Sequence, residues 1–355
     1  MIMIVHGALD HAELATLGID PGPLIDFSSN INPFGPPAGV AAALAALNPT
    51  PYPDRSCHQL RHAIAGHHGC DPAEILPGNG ANELIHLIAR ALLRPGDRAL
   101  VVGPTFGEYT YVCQLAGAQI VEVRAHERGQ FRLDADVLAI AIKRARPRLT
   151  WLCTPNNPTG VDFSSDTILS LAETCAAAGG LLVVDRAYRS FLRDSDHGGD
   201  PLDDVAAPAS LLRLYSLTKS YAIAGLRLGY LLAEAGLIVR IAAYQPTWSV
   251  SSPAQAAGLP ALADDAFLPT SMPQIWAGSD ALRDGLLALG LPVHRDDLPF
   301  MLVHPGDGAA TRLALLRRGY VVRDCASFGL QAWVRVAPRR PEENARLLDV
   351  WRELL

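Results

Sequence analysis

The chain has 355 residues, 49% hydrophobic and 19% charged, which supplies a large buried core and fits two domains or one domain with an appendage. A net charge of -6 and a pI near 6.0 leave no general basic field, which argues against nucleic acid or an anionic membrane surface as a partner and requires local groups to hold any anionic ligand. No apolar run approaches a membrane span, no basic segment precedes an apolar core near the first residue, and the six cysteines lack Cys-x-x-Cys spacing, so a cytoplasmic protein with reduced thiols is expected.

In chain order, the first conspicuous pattern is His58 and His62 on one turn of a helix, followed by His67 and His68. With no Glu beside the first His and no third ligand, it reads as a polar helix face, and no metal is expected. From about residue 75, short apolar runs alternate with longer amphipathic segments. Residues 83 to 97 (ELIHLIARALLRPGD) have helical spacing and end at Pro-Gly; 98 to 104 (RALVVGP) and 149 to 155 (LTWLCTP) read as strands. A helix to about 178 is followed by strands at 180 to 185 (GLLVVD) and 211 to 216 (LLRLYS). Apolar strands separated by helices predict an α/β fold, a mostly parallel sheet between helices, with ligands gathered at the C-terminal strand edge. Beyond 245 the character changes to Pro-rich turns, a helix at 311 to 318 and strands at 320 to 323 and 333 to 338. The expected division is a large domain over 40–243 and a smaller α+β domain built from 1–39 and 244–355.

The polar residues that follow the predicted strands are Thr105 and Phe106, Asn156 and Asn157, Asp185 and Tyr188, and Ser216 and Lys219. Four strand ends therefore point to one place. ILPGNGANELIHLI is a weak dinucleotide fingerprint, lacking a third glycine and a ribose-binding acid. It is a better phosphate cradle, because Gly80, Ala81 and Asn82 open a helix whose first N–H groups favour an anion. A lysine (Lys219), a hydroxyl (Ser216), an arginine (Arg227) and a carboxylate (Asp185) beside such a cradle are the parts a pyridoxal 5'-phosphate site needs: Lys219 for the Schiff base, Ser216 and Arg227 for the phosphate, Asp185 for the protonated pyridine nitrogen.

TPNNPTG (154 to 160), DRAY (185 to 188) and SLTKSYAIAGLRLGY (216 to 230) resemble the motifs of fold-type I pyridoxal-phosphate enzymes of the aspartate aminotransferase superfamily. The resemblance implies that Asn157 and Tyr188 hydrogen-bond the cofactor's 3'-oxygen and that Phe106 in GPTFGEY stacks on its ring. Tyr52 in PYPD resembles the tyrosine that reaches the phosphate of a neighbouring subunit's cofactor, which implies a homodimer with shared sites. Arg335 in WVRVAP matches the arginine that binds the substrate carboxylate.

Two branches of that superfamily are similar. Histidinol-phosphate aminotransferases share PNNPTG, the AGLR run and the YPD turn. Threonine-phosphate decarboxylases of cobalamin biosynthesis share more segments, including His6-Gly7, DFSSNINPFGPP (26 to 37), QPTWSVSSPAQ (245 to 255) and RDCASFGL (323 to 330). This second likeness implies a lyase that decarboxylates L-threonine O-3-phosphate, with His6, Asn32 and Arg323 on the substrate phosphate. The chain departs from that pattern at Ala8 and at Arg186, beside Asp185. The alternative expectation is an aminotransferase acting on histidinol phosphate or a related amino acid. A ligand sensor without catalysis is the third, disfavoured because Lys219 is retained and no stretch is left for a helix-turn-helix module.

Overall fold

The computed structural model describes residues 7–193 and 199–355. Strand β1 (Ile25–Asp26) lies in the N-terminal arm. The central sheet comprises β2 (Ile75–Asn79), β3 (Arg98–Gly103), β4 (Gln119–Arg124), β5 (Leu149–Cys153), β6 (Leu181–Asp185), β7 (Leu211–Ser216) and β8 (Leu228–Leu232), in the spatial order β2-β8-β7-β6-β5-β3-β4. All its strands run parallel except β8, which is antiparallel to both β2 and β7. The fold is α/β, as the alternation of apolar runs and amphipathic segments predicts. Every residue of β5, β7 and β8 is buried, which is why those strands lack a polar face in the sequence. The helix Gly80–Leu92 buries Leu84, Ile85, Leu87, Ile88, Ala91 and Leu92, a stripe wide enough to fix it on the sheet.

A second, antiparallel sheet has the order β12-β13-β10-β9, formed by β9 (Val293–His294), β10 (Met301–Val303), β12 (Arg323–Asp324) and β13 (Val334–Val336). The arm joins this end of the molecule through β1, which pairs in parallel with β11 (Tyr320–Val321). The helix Phe267–Ala288, 22 residues long, links the two cores: Leu268, Met272 and Ile275 pack with the first, Leu282 and Leu286 with the second. The helix Ser252–Ala263 packs on the large unit through Ala254, Ala257 and Ala261. We therefore propose that the crossing lies within the long helix, further along the chain than residue 244. No helix among the described residues is long and apolar enough to cross a membrane.

Behind the sheet's C-terminal edge lies a buried ion pair. Arg186 donates from Nε to Asp200 Oδ2 at 2.9 Å and from Nη2 to Oδ1 at 3.1 Å, while its Nη1 reaches Thr154 O. Burial alone would raise Asp200, but the Arg186 guanidinium overrides it and holds the carboxyl at about 2. Breaking a buried pair leaves an uncompensated charge. Arg186→Met should cost about 3 kcal/mol, the lower end of the usual range, because Arg189 Nε still lies 3.9 Å from Asp200. The Asp200 contribution is complete above the ordinary aspartate value of about 4 and is lost as pH falls toward about 2. In the variant the guanidinium no longer holds the carboxyl down, so this loss on acidification should shrink, which denaturant titrations between neutral and acid pH would show.

Candidate active site

The C-terminal ends of β3, β5, β6 and β7 deliver Phe106, Asn157, Asp185, Tyr188, Ser216 and Lys219 to the wall of one cavity of about 330 Å³, closed on the other side by the 28–31 loop and by Arg323, Phe328 and Arg335. Among the described residues, four cationic side chains (Lys219, Arg227, Arg323, Arg335) face it against the single carboxylate of Asp185. The cavity is therefore built for a ligand carrying more than one negative charge.

One end is an anion cradle. Ala81 and Asn82 open the helix that starts at Gly80, so their N–H groups have no partner within the helix. Arg227, at φ 58°, lies across the helix mouth and is braced by Nη1 donation to Ala224 O at 2.9 Å. Gly80 stands beneath it at φ +73°, and a Cβ there would be 2.6 Å from Arg227 Nη2, so only glycine fits both the backbone and the guanidinium. Ser216 and Thr218 share a hydroxyl contact at 2.6 Å, and Lys219 Nζ donates to Ser216 Oγ at 3.4 Å. Backbone amides, two hydroxyls and a guanidinium fit a phosphate monoester.

The floor is polar at fixed points. Asp185 is buried and accepts from Tyr109 Oη at 2.7 Å and from the Ala187 N–H at 2.9 Å. Lys219 Nζ lies 4.9 Å from the centre of the Tyr188 ring, and the Tyr188 hydroxyl accepts from Asn30 Nδ2 at 3.1 Å. Asn157 Oδ1 accepts from Arg335 Nη1. A guanidinium can only donate, so this contact fixes which end of the Asn157 amide is the acceptor and leaves its amide nitrogen as the donor end.

At the far end Arg323 and Arg335 oppose each other across β12 and β13, both buried. Arg335 is held by Asn157 and by Ser28 O, with its Nε buried and unpartnered. Arg323 donates to Asp324 O at 2.7 Å and Ser327 Oγ at 2.6 Å. Burial, then repulsion from Arg335, pushes the Arg323 guanidinium down to about 10. Two like charges face each other across a ladder where they repel, an arrangement a bound anion relieves.

The expected residues do not all meet here. His6 lies outside the described residues. Tyr52 is 78% exposed and stacks on Trp248 with ring centres 4.5 Å apart, away from its own chain's cavity. Asn32 is displaced from its expected substrate role: its Nδ2 donates to Ser220 O and Ser271 Oγ, its Oδ1 accepts from the Phe34 N–H, and its own N–H donates to Lys219 O. It braces the lysine's backbone from behind, and Asn30, two residues earlier, lines the cavity instead. Arg186 is turned to Asp200, as described above. Sequence reasoning missed Asn30, Tyr109, Thr218 and Ser327. The hydroxyl adjoining Lys219 and the tyrosine three residues after Phe106 were the available signals.

Residues 22–350 match the family model of class I and II aminotransferases. Histidinol-phosphate aminotransferase 2 of Ralstonia nicotianae is 35% identical over 92% of this chain and 88% of its own. Histidinol-phosphate aminotransferase 1 of Thiobacillus denitrificans is 34% identical over 97% of this chain and 89% of its own. Among solved structures, the histidinol-phosphate aminotransferase of Sinorhizobium meliloti in complex with pyridoxal-5'-phosphate superposes with a TM-score of 0.86 at 24% identity, covering 99% of this chain and 96% of that one. Aspartate aminotransferase of Thermus thermophilus with maleate gives 0.83 at 26%, covering 97% and 94%.

These relatives overturn the expected threonine-phosphate decarboxylase, lyase and cobalamin-pathway assignments. The physical reason lies in the segments that carried them. In DFSSNINP, Ser28 and Ser29 donate their hydroxyls to Asp26 and Asn32 braces Lys219, so these side chains fix the loop that lines the cavity and do not by themselves select a reaction.

Proposed function

On the premise that the chain belongs to the class I and II aminotransferase family and binds pyridoxal phosphate, we propose that it is an aminotransferase moving an amino group from histidinol phosphate, or a closely related phosphorylated amine, to a keto acid such as 2-oxoglutarate. The observation that carries this reading is the Arg323–Arg335 pair facing the cofactor cradle across one cavity. In one half of the cycle the pair receives a substrate phosphate; in the other it receives the carboxylates of the keto acid. The curated relatives' substrate supports the choice of amine.

The bound cofactor supplies an electron-withdrawing ring that takes up the electron pair left when the substrate's Cα–H bond breaks. Lys219 Nζ would hold the cofactor, and its free amine would be the base that takes and returns the substrate's Cα proton. Asp185 would pair with the ring nitrogen. Asn157 and Tyr188 would donate to the ring oxygen, and Phe106 would cover a ring face. Ala81, Asn82, Ser216 and Arg227 would hold the phosphate. Arg335 and Arg323 orient the substrate so that its Cα–H bond stands toward Lys219. Tyr52 is exposed and stacked on Trp248, which leaves its ring open to a second copy; a homodimer in which it reaches the partner's phosphate site is part of this reading. Six free cysteines fit a reducing, cytoplasmic setting.

Arg323→Met should raise KM for the phosphorylated amine by roughly ten- to a hundredfold, with a smaller effect on kcat, because a charge-assisted contact to phosphate is lost. Steady-state kinetics with histidinol phosphate check it. The reading itself is tested by mixing holoprotein with histidinol phosphate alone. The visible cofactor band should disappear in a single stoichiometric turnover and return when 2-oxoglutarate is added. Continuous turnover without a keto acid would overturn it.

A further inference from the structure

We propose that Tyr109 is a positioning residue whose hydroxyl keeps Asp185 set as the charged partner of the cofactor's protonated ring nitrogen. The inference deepens the reading of this cavity as a pyridoxal-phosphate site and rests on it. Tyr109 is 1% exposed and donates to Asp185 Oδ2 at 2.7 Å. Its ring cannot swing away: it stacks on Trp151 with centres 5.1 Å apart and an interplanar angle of 12°, and Phe106 meets it edge-on at 5.7 Å. Trp151 is fixed in turn by Nε1 donation to Cys113 Sγ at 3.2 Å. The aim of the hydroxyl is thus set by packing from two sides.

A buried ring nitrogen and carboxylate can share their proton in two ways, as an ion pair or as a neutral pair, and desolvation favours the neutral one. A phenol O–H donated to the carboxylate stabilises the ion pair more than the neutral pair, because the bond strengthens with the acceptor's charge. Burial, then the charge of Asp185, pushes the Tyr109 phenol well above its ordinary range, so it stays a donor. The neighbouring Cys153 thiol is likewise pushed up to about 12, mainly by burial, and adds no competing charge. The Ala187 N–H on Oδ1 supplies the second fixed donor.

The test is Tyr109→Phe, which keeps the ring on Trp151 and removes only the hydroxyl. Holoprotein is reconstituted with pyridoxal phosphate labelled with ¹⁵N in the ring, and the nitrogen resonance and the cofactor's dissociation constant are measured. In the wild type the resonance should lie at the protonated position. In Tyr109→Phe it should move toward the unprotonated one, and the dissociation constant should rise about tenfold, as for loss of one hydrogen bond to a charged group. Replacing Tyr109 by 3-fluorotyrosine, a more acidic donor, should move the resonance no closer to the unprotonated position, which keeps the test open if the phenylalanine variant folds poorly. Coincident wild-type and Tyr109→Phe spectra and affinities, or a shift toward the unprotonated position with fluorotyrosine, would overturn the role of Tyr109 alone. A wild-type protein that takes up no cofactor would overturn the reading of the cavity and this inference with it.

Discussion

Replacing Lys219 by alanine should lower turnover by at least about a thousandfold, since it removes both the amine that holds the cofactor and the base that moves the substrate proton. The chain contains only two lysines, Lys143 and Lys219, which makes the result unusually clean to read. Lys143 is exposed on the helix Ala135–Ala145, whereas Lys219 Nζ lines the cavity beside Ser216 and Tyr188. Borohydride reduction of wild-type holoprotein should therefore fix the cofactor to the peptide carrying residue 219. The alanine variant should fix none. Modification of the Lys143 peptide at equal yield would contradict the assignment.

The second large effect is expected at Asp185. Asp185→Ala removes the carboxylate that Tyr109 and the Ala187 N–H hold in place, leaving two donors without an acceptor and the ring nitrogen without its anionic partner. Loss of such a preorganised charge should reduce kcat by roughly a hundred- to a thousandfold. KM should change much less, because the substrate anchors Arg323 and Arg335 stand on the other side of the cavity. A variant with near-normal kcat would mean that the ring is tuned by another group. Steady-state kinetics on protein whose cofactor content has been measured separate the two outcomes.

How far such sites can be read from sequence depends on whether their parts are local. Lys219, Ser216 and Arg227 lie within one short stretch, and the apolar runs of β5, β6 and β7 announce the strand ends that carry Asn157 and Asp185. Other strands were hidden for physical reasons. β2 contains Pro77 and Gly78, which read as a turn, and the alternating QIVEVR of β4 belongs to a sheet edge whose pattern is weak. Tyr109 has no local mark of its role, because the carboxylate it serves is 76 residues away. The Asn30–Asn32 exchange has a similar origin: the chain bends at Ser29–Ile31, and only the folded backbone decides which amide meets the cavity and which meets Ser220 and Ser271. The choice between reaction types was the least legible. Segments such as DFSSNINP are used by the fold, so their likeness to one branch carries little information about chemistry.

Transfer of an amino group is tested by following the nitrogen itself. Histidinol phosphate labelled with ¹⁵N in its amino group is incubated with the holoprotein and 2-oxoglutarate, and the products are separated and analysed by mass spectrometry. The label should appear in glutamate in equal amount to the ketone formed from the amine, and Lys219→Ala should form neither. Label recovered as ammonia, or histidinol phosphate left unchanged by a cofactor-loaded wild-type protein, would contradict it.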